Sequence, residues 1–230
     1  MHDPEQAPTS LLLASSVHDI KNSLGMLLNT LDAVIEETPI NSDSQRQQFA
    51  TLRSEAARIN HSLIYLLGLY RLQRHELPLQ IQEVYVADFL EEQIAANELL
   101  FSIRQITVQC DCDESLTAYF DPTLIAGVIG NILVNAAHYA QTTIRIKAIG
   151  GEKGSVALEI SDDGPGFPEK MLGSNYTHGE RGIDFGSGST NLGLFFAAEV
   201  AYLHRRGDIH GTIALSNISP HGSHFKLTLP

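Results

Sequence analysis

His18 stands beside Asp19, and Asn22 follows one helical turn later, in the stretch "ASSVHDIKNSLGML". An imidazole next to a carboxylate can be a nucleophile with its base. The i, i+4 spacing puts Asn22 on the same helical face as His18. A solvated polar face would carry the same residue types, so the pattern alone does not choose.

Three more groupings lie in the second half of the chain. In "NILVNAAHYA", Asn131, Asn135 and His138 fall at i, i+4 and i+7, on one face of an otherwise apolar helix. Two carboxamides and an imidazole are costly to bury unpaired. They call for a ligand, a metal or water, or they form a hydrogen-bonded cluster under a loop. In "ISDDGPGFP" a strand ends in Asp162, and Gly164 and Gly166 let the backbone turn and approach closely. A carboxylate is acceptor-only, so in a pocket it selects the exocyclic amino donor of adenine over the carbonyl of guanine. Asp-Gly is equally an ordinary turn. In "GSGSTNLGLFFAAEV", Gly186 and Gly188 loosen a loop, and Gly193 sits at the mouth of a helix. The first N–H groups of a helix are unpaired and attract phosphate.

The elements that must position these groups are legible from periodicity. Leu13, Val17, Ile20, Leu24, Leu27, Leu31 and Val34 make a heptad seam, as do Phe49, Leu52, Ala56, Ile59, Leu63, Leu66 and Tyr70. Ser10 is the expected cap of the first helix and Pro39 closes it. Ser42, Asp43 or Ser44 caps the second, and Pro78 follows its end. Two helices on a short turn form an antiparallel hairpin. A hairpin with a full-length seam cannot bury it alone, so a homodimeric four-helix bundle is expected over residues 1–80, the alternative being packing against the rest of the same chain. His18 then lies just off the seam. Residues 81–230 read differently. Val86, Leu90 and Ile94 suggest a short helix; "ITVQC", "LTAYF", "TTIRIKAI", "SVALEIS", "GTIALSN" and "SHFKLTLP" alternate as strands. Asp121-Pro122 opens a helix through residue 140, and "LGLFFAAEVAYLHRR" makes another. The expected architecture is an α+β sandwich, helices on one face of a mixed sheet.

Bulk properties exclude several classes. The 230 residues suit one large domain or two small ones, and 43% hydrophobic content is that of a globular protein. A net charge of -12 argues against non-specific nucleic-acid binding and against docking on an anionic membrane. No apolar run approaches a membrane span, and the acidic "MHDPEQAPTS" is no secretory signal. The two cysteines, Cys110 and Cys112, share a strand face but lack a second ligand pair at zinc spacing, and a reducing cytoplasm is expected.

The order of the groupings resembles the sensor histidine kinase family over nearly the whole chain. "HDIKN" is similar to the phosphoacceptor box of its dimerisation domain. "NILVNAAHYA", "DDGPGF" and "GSGSTNLGL" are similar to the N, G1 and G2 boxes of its ATP-binding domain, and the closing "GTIALSNISPHGSHFKLTLP" to its final hairpin. The resemblance implies that His18 takes the γ-phosphoryl group, that Asp19 orients the ring and draws its proton, and that Asn22 positions a water for the reverse duty. It implies ATP with Mg²⁺: Asn135 on the metal, Asn131 and His138 along the phosphates, Asp162 on adenine, Gly164 and Gly166 shaping the pocket. Residues 169–190 would be a lid, closed by Gly188, Leu192 and Gly193. It further implies a hinge near Pro78, a response-regulator receiver domain as acceptor and, if the chain is complete, a separate sensor or regulatory protein as input.

Related ATPases of that nucleotide fold carry a water-activating glutamate four residues before the metal asparagine. The position here is Asn131, and an amide takes no proton, which favours transfer to His18 over hydrolysis. Ser23 replaces the family's proline, His138 its basic N-box residue and Asn191 the first glycine of its G2 core. These departures bear on ATP affinity and rate rather than on fold. They leave a second reading, a histidine phosphotransfer protein with a weakened nucleotide site. A sequestering regulator without chemistry is a third.

Overall fold

In a computed structural model the chain falls into two units, Met1–Leu77 and Pro78–Pro230. The structure describes residues 6–39, 42–73, 79–172, 192–218 and 220–230; the side chains of 6–19, 21, 61–73, 153 and 192 stand outside that description.

The first unit is a pair of long helices, α1 (Gln6–Glu37) and α2 (Asp43–Gln73). α1 begins before the expected cap, so Ser10 lies inside the helix. Of the three candidate caps for α2 it is Ser42 that serves: its Oγ accepts the N–H of Gln45 at 3.1 Å. Arg53, buried on α2, donates to Asp32 of α1 at 2.8 Å and fixes the pairing of the two helices. Among the described residues the heptad seam divides. Ala56 is buried and Leu24, Leu31 and Phe49 are half-buried, beside the buried Ile35, Ala50 and Ala57, which lie off the seam. Ile20 (47%), Leu27 (51%) and Val34 (47%) of α1, with Leu52 (56%) and Ile59 (49%) of α2, stand about half exposed. Within each helix these exposed residues recur every heptad, so they line one stripe.

The second unit opens with β1 (Gln82–Tyr85), α3 (Val86–Ala95) and α4 (Glu98–Arg104), then β2 (Thr107–Asp111), β3 (Thr117–Phe120) and α5 (Pro122–Tyr139). β4 (Thr143–Gly150), β5 (Val156–Asp162), α6 (Leu192–Leu203), β6 (Arg205–Arg206), β7 (Ile209–His210), β8 (Thr212–Asn217) and β9 (Ser223–Leu229) follow. The short elements β1, α4, β6 and β7 were not anticipated from the sequence. Five strands form one sheet in the order β2-β4-β5-β9-β8, parallel only between β2 and β4. β1 pairs with β3, and β6 with β7, as separate two-stranded ribbons.

Alternation decides which face of the sheet is covered. Ile144, Ile146, Leu158, Ile160, Phe225 and Leu227 are buried against the helices. Between them Lys147, Glu159 and Lys226 face the other way in one cross-strand row, where Lys226 meets Glu159 at 3.0 Å. On the helical layer, Ile125, Val128, Ile129, Ile132 and Leu133 of α5 and Phe196, Ala197, Val200 and Ala201 of α6 are buried. This places α5 and α6 side by side on the core, and the candidate site is built on them.

Cys110 lies on β2 and Cys112 just past its end, both as free thiols. Burial, followed by the neighbouring Cys110 and acidic side chains, pushes the Cys112 thiol up to about 11, so it is a poor nucleophile and ligand near neutrality. Among the described residues no three His, Cys, Asp or Glu gather as a metal cluster, and no described helix is long and apolar enough to cross a membrane.

Candidate functional site

α5 begins at a cap read from the sequence. Asp121 Oδ1 accepts the N–H groups of Thr123 (3.0 Å) and Leu124 (3.1 Å), and Pro122 occupies the first turn. Ten residues on, Asn131 is buried, Asn135 is half-buried and His138 is exposed, its ring edge-on to Tyr139 with centroids 4.7 Å apart. The expected polar face of the helix is therefore present, graded from core to solvent.

Gly193 explains how α6 comes so near. A Cβ at that position would lie 2.3 Å from Asn131 Nδ2. Only glycine lets the first turn of α6 pack on the carboxamide, so Asn131 and Gly193 are brought together. Gly188 lies outside the described residues, as do most of the lid residues 169–190 and the side chain of Leu192.

The turn after β5 abuts the other end of α5. Asp162 is buried; its Oδ1 accepts the N–H of Gly164 at 2.8 Å, and its Oδ2 accepts the hydroxyl of Ser223 on β9. A Cβ on Gly164 would meet the carbonyl oxygen of Tyr139 at 2.4 Å, so glycine is what allows this turn to touch the C-terminus of α5. Gly166 has φ +85 and packs on the carboxamide of Asn217. Asn217 holds Phe167 twice, accepting its N–H at 2.7 Å and donating to its carbonyl at 2.9 Å. Asp162, Gly164 and Gly166 thus form one braced turn beside the helix that carries Asn131 and Asn135.

Three bracing residues were missed from the sequence. Ser223 and Asn217 sit 61 and 50 residues from their partners. Asp163 is the third. Its carboxylate accepts the N–H groups of Gln141 (2.8 Å), Thr142 (3.0 Å) and Thr143 (3.2 Å) and the Thr142 hydroxyl (2.6 Å), which ties the loop after α5 to the same turn. Burial pushes its pKa up, but the Thr142 hydroxyl and the three N–H groups more than reverse this and hold the carboxyl well below the usual range. The doublet Asp162-Asp163 was the available signal: adjacent residues at a strand end point to opposite sides, one inward and one toward the neighbouring loop.

In the first unit Asn22 is exposed on α1. His18 and Asp19 fall within the backbone of α1, but their side chains lie outside the described residues.

Residues 120–230 match the family model of the histidine kinase-, DNA gyrase B- and HSP90-like ATPases. The chain is 27% identical over 227 residues to the adaptive-response sensory kinase SasA of Synechococcus sp. (strain JA-3-3Ab), covering 95% of this chain and 58% of that protein. It is 24% identical over 222 residues to the sensor-like histidine kinase SenX3 of Mycobacterium bovis, covering 95% and 53%. The chain thus spans little more than half the length of these relatives. Among solved structures, full-length ShkA, crystallised with AMPPNP, shares the fold with a TM-score of 0.64 at 17% identity, over 95% of this chain and 45% of that one. The catalytic domain of the histidine kinase ThkA gives 0.56 at 21% identity, over 66% and 97%. Residues 120–230 are thus similar to the ATPase domain of the histidine kinase-, DNA gyrase B- and HSP90-like family, and the chain over nearly its whole length is similar to sensor histidine kinases.

Proposed function

We propose that this chain is the kinase portion of a two-component system: a cytoplasmic, ATP-dependent histidine kinase that phosphorylates itself on His18 and passes the phosphoryl group to an aspartate of a response-regulator receiver domain. The observation that carries the reading is the joined arrangement of a buried Asp162, its glycine turn and the Asn131–Asn135 face of α5. Residues 1–80 would be the phosphoacceptor hairpin and 81–230 the catalytic domain.

Asp162 would accept from the adenine amino group, its carboxylate kept in place by Ser223 and Gly164. Magnesium takes few protein ligands and prefers phosphate oxygens and water for the rest. The Asn135 amide oxygen fits that need as a single neutral ligand, and His138 and Asn131 would line the phosphates. Bound Mg²⁺ supplies charge neutralisation for the transfer. An imidazole nitrogen of His18 would attack the γ-phosphorus while the bond to the β–γ bridging oxygen breaks, releasing ADP. Asp19 would receive the proton of the other ring nitrogen. Asn131 cannot serve as a base, so water has no activating partner at that position. Asn22, exposed one turn from His18, would set a water for the reverse, phosphatase duty.

The stripe of Ile20, Leu27, Val34, Leu52 and Ile59 supports a homodimer. Full burial of a large apolar side chain is worth about 1.5–3 kcal/mol, and each of these, already about half buried, would gain roughly half of that. A second hairpin would cover the stripe.

The test is incubation with γ-labelled ATP and Mg²⁺, beside a His18→Gln variant. Acid-labile, base-stable label on the parent and none on the variant is the expected result. No label from ATP, with label accepted from a phosphorylated receiver domain, would make the protein a phosphotransfer relay, the reading that His138 and Asn191 favour. No label by either route would sink the mechanism.

A further inference from the structure

Asp121 makes more contacts than a helix cap requires. It is buried, and Oδ1 alone serves Thr123 and Leu124. Oδ2 accepts the N–H of Gln80 at 2.9 Å, a residue 41 positions earlier. The N–H of Asp121 donates to Nε2 of His204 at 3.0 Å. The proton of that ring is therefore on Nδ1, which donates to the Val200 carbonyl at 2.7 Å. Burial keeps His204 neutral by lowering its pKa. The N-terminus of α5 is thus fastened at once to the end of α6 and to the segment that leads into the second unit.

α5 is a rigid rod, and Asn131 lies about 15 Å along it from Asp121. A tilt at the Asp121 end is carried to Asn131 and Asn135. Asn131 cannot absorb the tilt by itself, because Gly193 is already packed against its carboxamide. Residue 80 and the polar face of α5 therefore share one lever.

We propose that Asp121 is a positioning residue for the nucleotide site, and that its bond to Gln80 couples the lead-in segment of the second unit to the presentation of Asn131 and Asn135. The proposal rests on the nucleotide reading above. Such coupling is reciprocal: if the Gln80–Asp121 bond strengthens nucleotide binding, bound nucleotide strengthens that bond by the same factor.

The experiment uses the full chain, Mg²⁺ and a non-hydrolysable ATP analogue. Two quantities are read: hydrogen exchange of the Gln80 amide with and without the analogue, and the analogue's affinity for the parent and two variants. Asp121→Ser keeps a hydroxyl to cap α5 but has no second oxygen for Gln80. Gln80→Pro removes the donor N–H and leaves Asp121 intact. Exchange at Gln80 is expected to slow about fivefold on binding, and both variants to bind about fivefold more weakly. A purely capping Asp121 would leave Gln80 exchange indifferent to the analogue and Gln80→Pro at parental affinity, and that result overturns the coupling alone. A parent that binds no analogue overturns the coupling together with the nucleotide reading.

Discussion

The described residues of the two units bury their apolar side chains to very different degrees. In the second unit the inward residues of β4, β5 and β9 are sealed under α5 and α6, and outward positions carry charge. In the hairpin the apolar residues are as regularly spaced, yet five of the seam residues stand about half exposed. A sheet covered by helices satisfies its own pattern. A heptad seam specifies a face without saying what covers it. Among the described residues, the difference locates the uncovered apolar surface in the first unit.

That comparison breaks most readily at Leu27, which is 51% exposed at the middle of the stripe. Leu27→Glu would leave an unpaired charge in a dimer interface at a cost of about 3–5 kcal/mol, weakening dimer dissociation constants by more than about a hundredfold. Sedimentation equilibrium should show a dimeric parent and a monomeric variant, with the melting of the second unit unchanged. A monomeric parent at high concentration would remove the dimer from the account.

The next largest effect is within the second unit. Asp163→Asn removes a charged acceptor of four hydrogen bonds and should cost about 2 kcal/mol at neutral pH. The folded-state pKa of Asp163 is depressed, so its contribution is present above the ordinary carboxylate value and is lost as pH falls through the folded one. Urea midpoints should therefore differ widely between parent and variant at pH 6, keep most of that gap at pH 3, and converge only in stronger acid, below the folded pKa. A gap that stays constant with pH would assign the loss to packing.

What was legible in the sequence was what is local. Asn131, Asn135 and His138 share a face because helical spacing is short-range, and Asp162 to Gly164 is one turn. The long helices and most strands follow from periods that repeat often enough to read. α4 spans only seven residues and β1 four, too few for either period to declare itself. Ser223 reaches Asp162 because β9 pairs with β5, and Asn217 reaches Phe167 from the end of β8; both contacts depend on sheet register. The same holds for His204, which meets Asp121 across 83 residues. The split of the heptad seam was illegible for a different reason: periodicity marks apolar positions without saying which of them face a helix of the same chain.

Two glycines give the finest form of the comparison. A Cβ at Gly193 would stand 2.3 Å from Asn131 Nδ2, whereas a Cβ at Gly25 in α1 would meet nothing within 4 Å. Gly193→Ala should therefore destabilise the second unit by about 1–3 kcal/mol through overpacking, and, on the proposed nucleotide reading, should weaken ATP-analogue binding because α6 or Asn131 must shift. Gly25→Ala should do the opposite, stabilising α1 by about 0.5–1 kcal/mol through the lower entropy of the unfolded chain. Calorimetry on the two variants measures both signs. If Gly25→Ala destabilises and the loss grows with protein concentration, residue 25 lies against the second hairpin, and the covered half of the seam extends further around α1 than Ile20, Leu27 and Val34 mark.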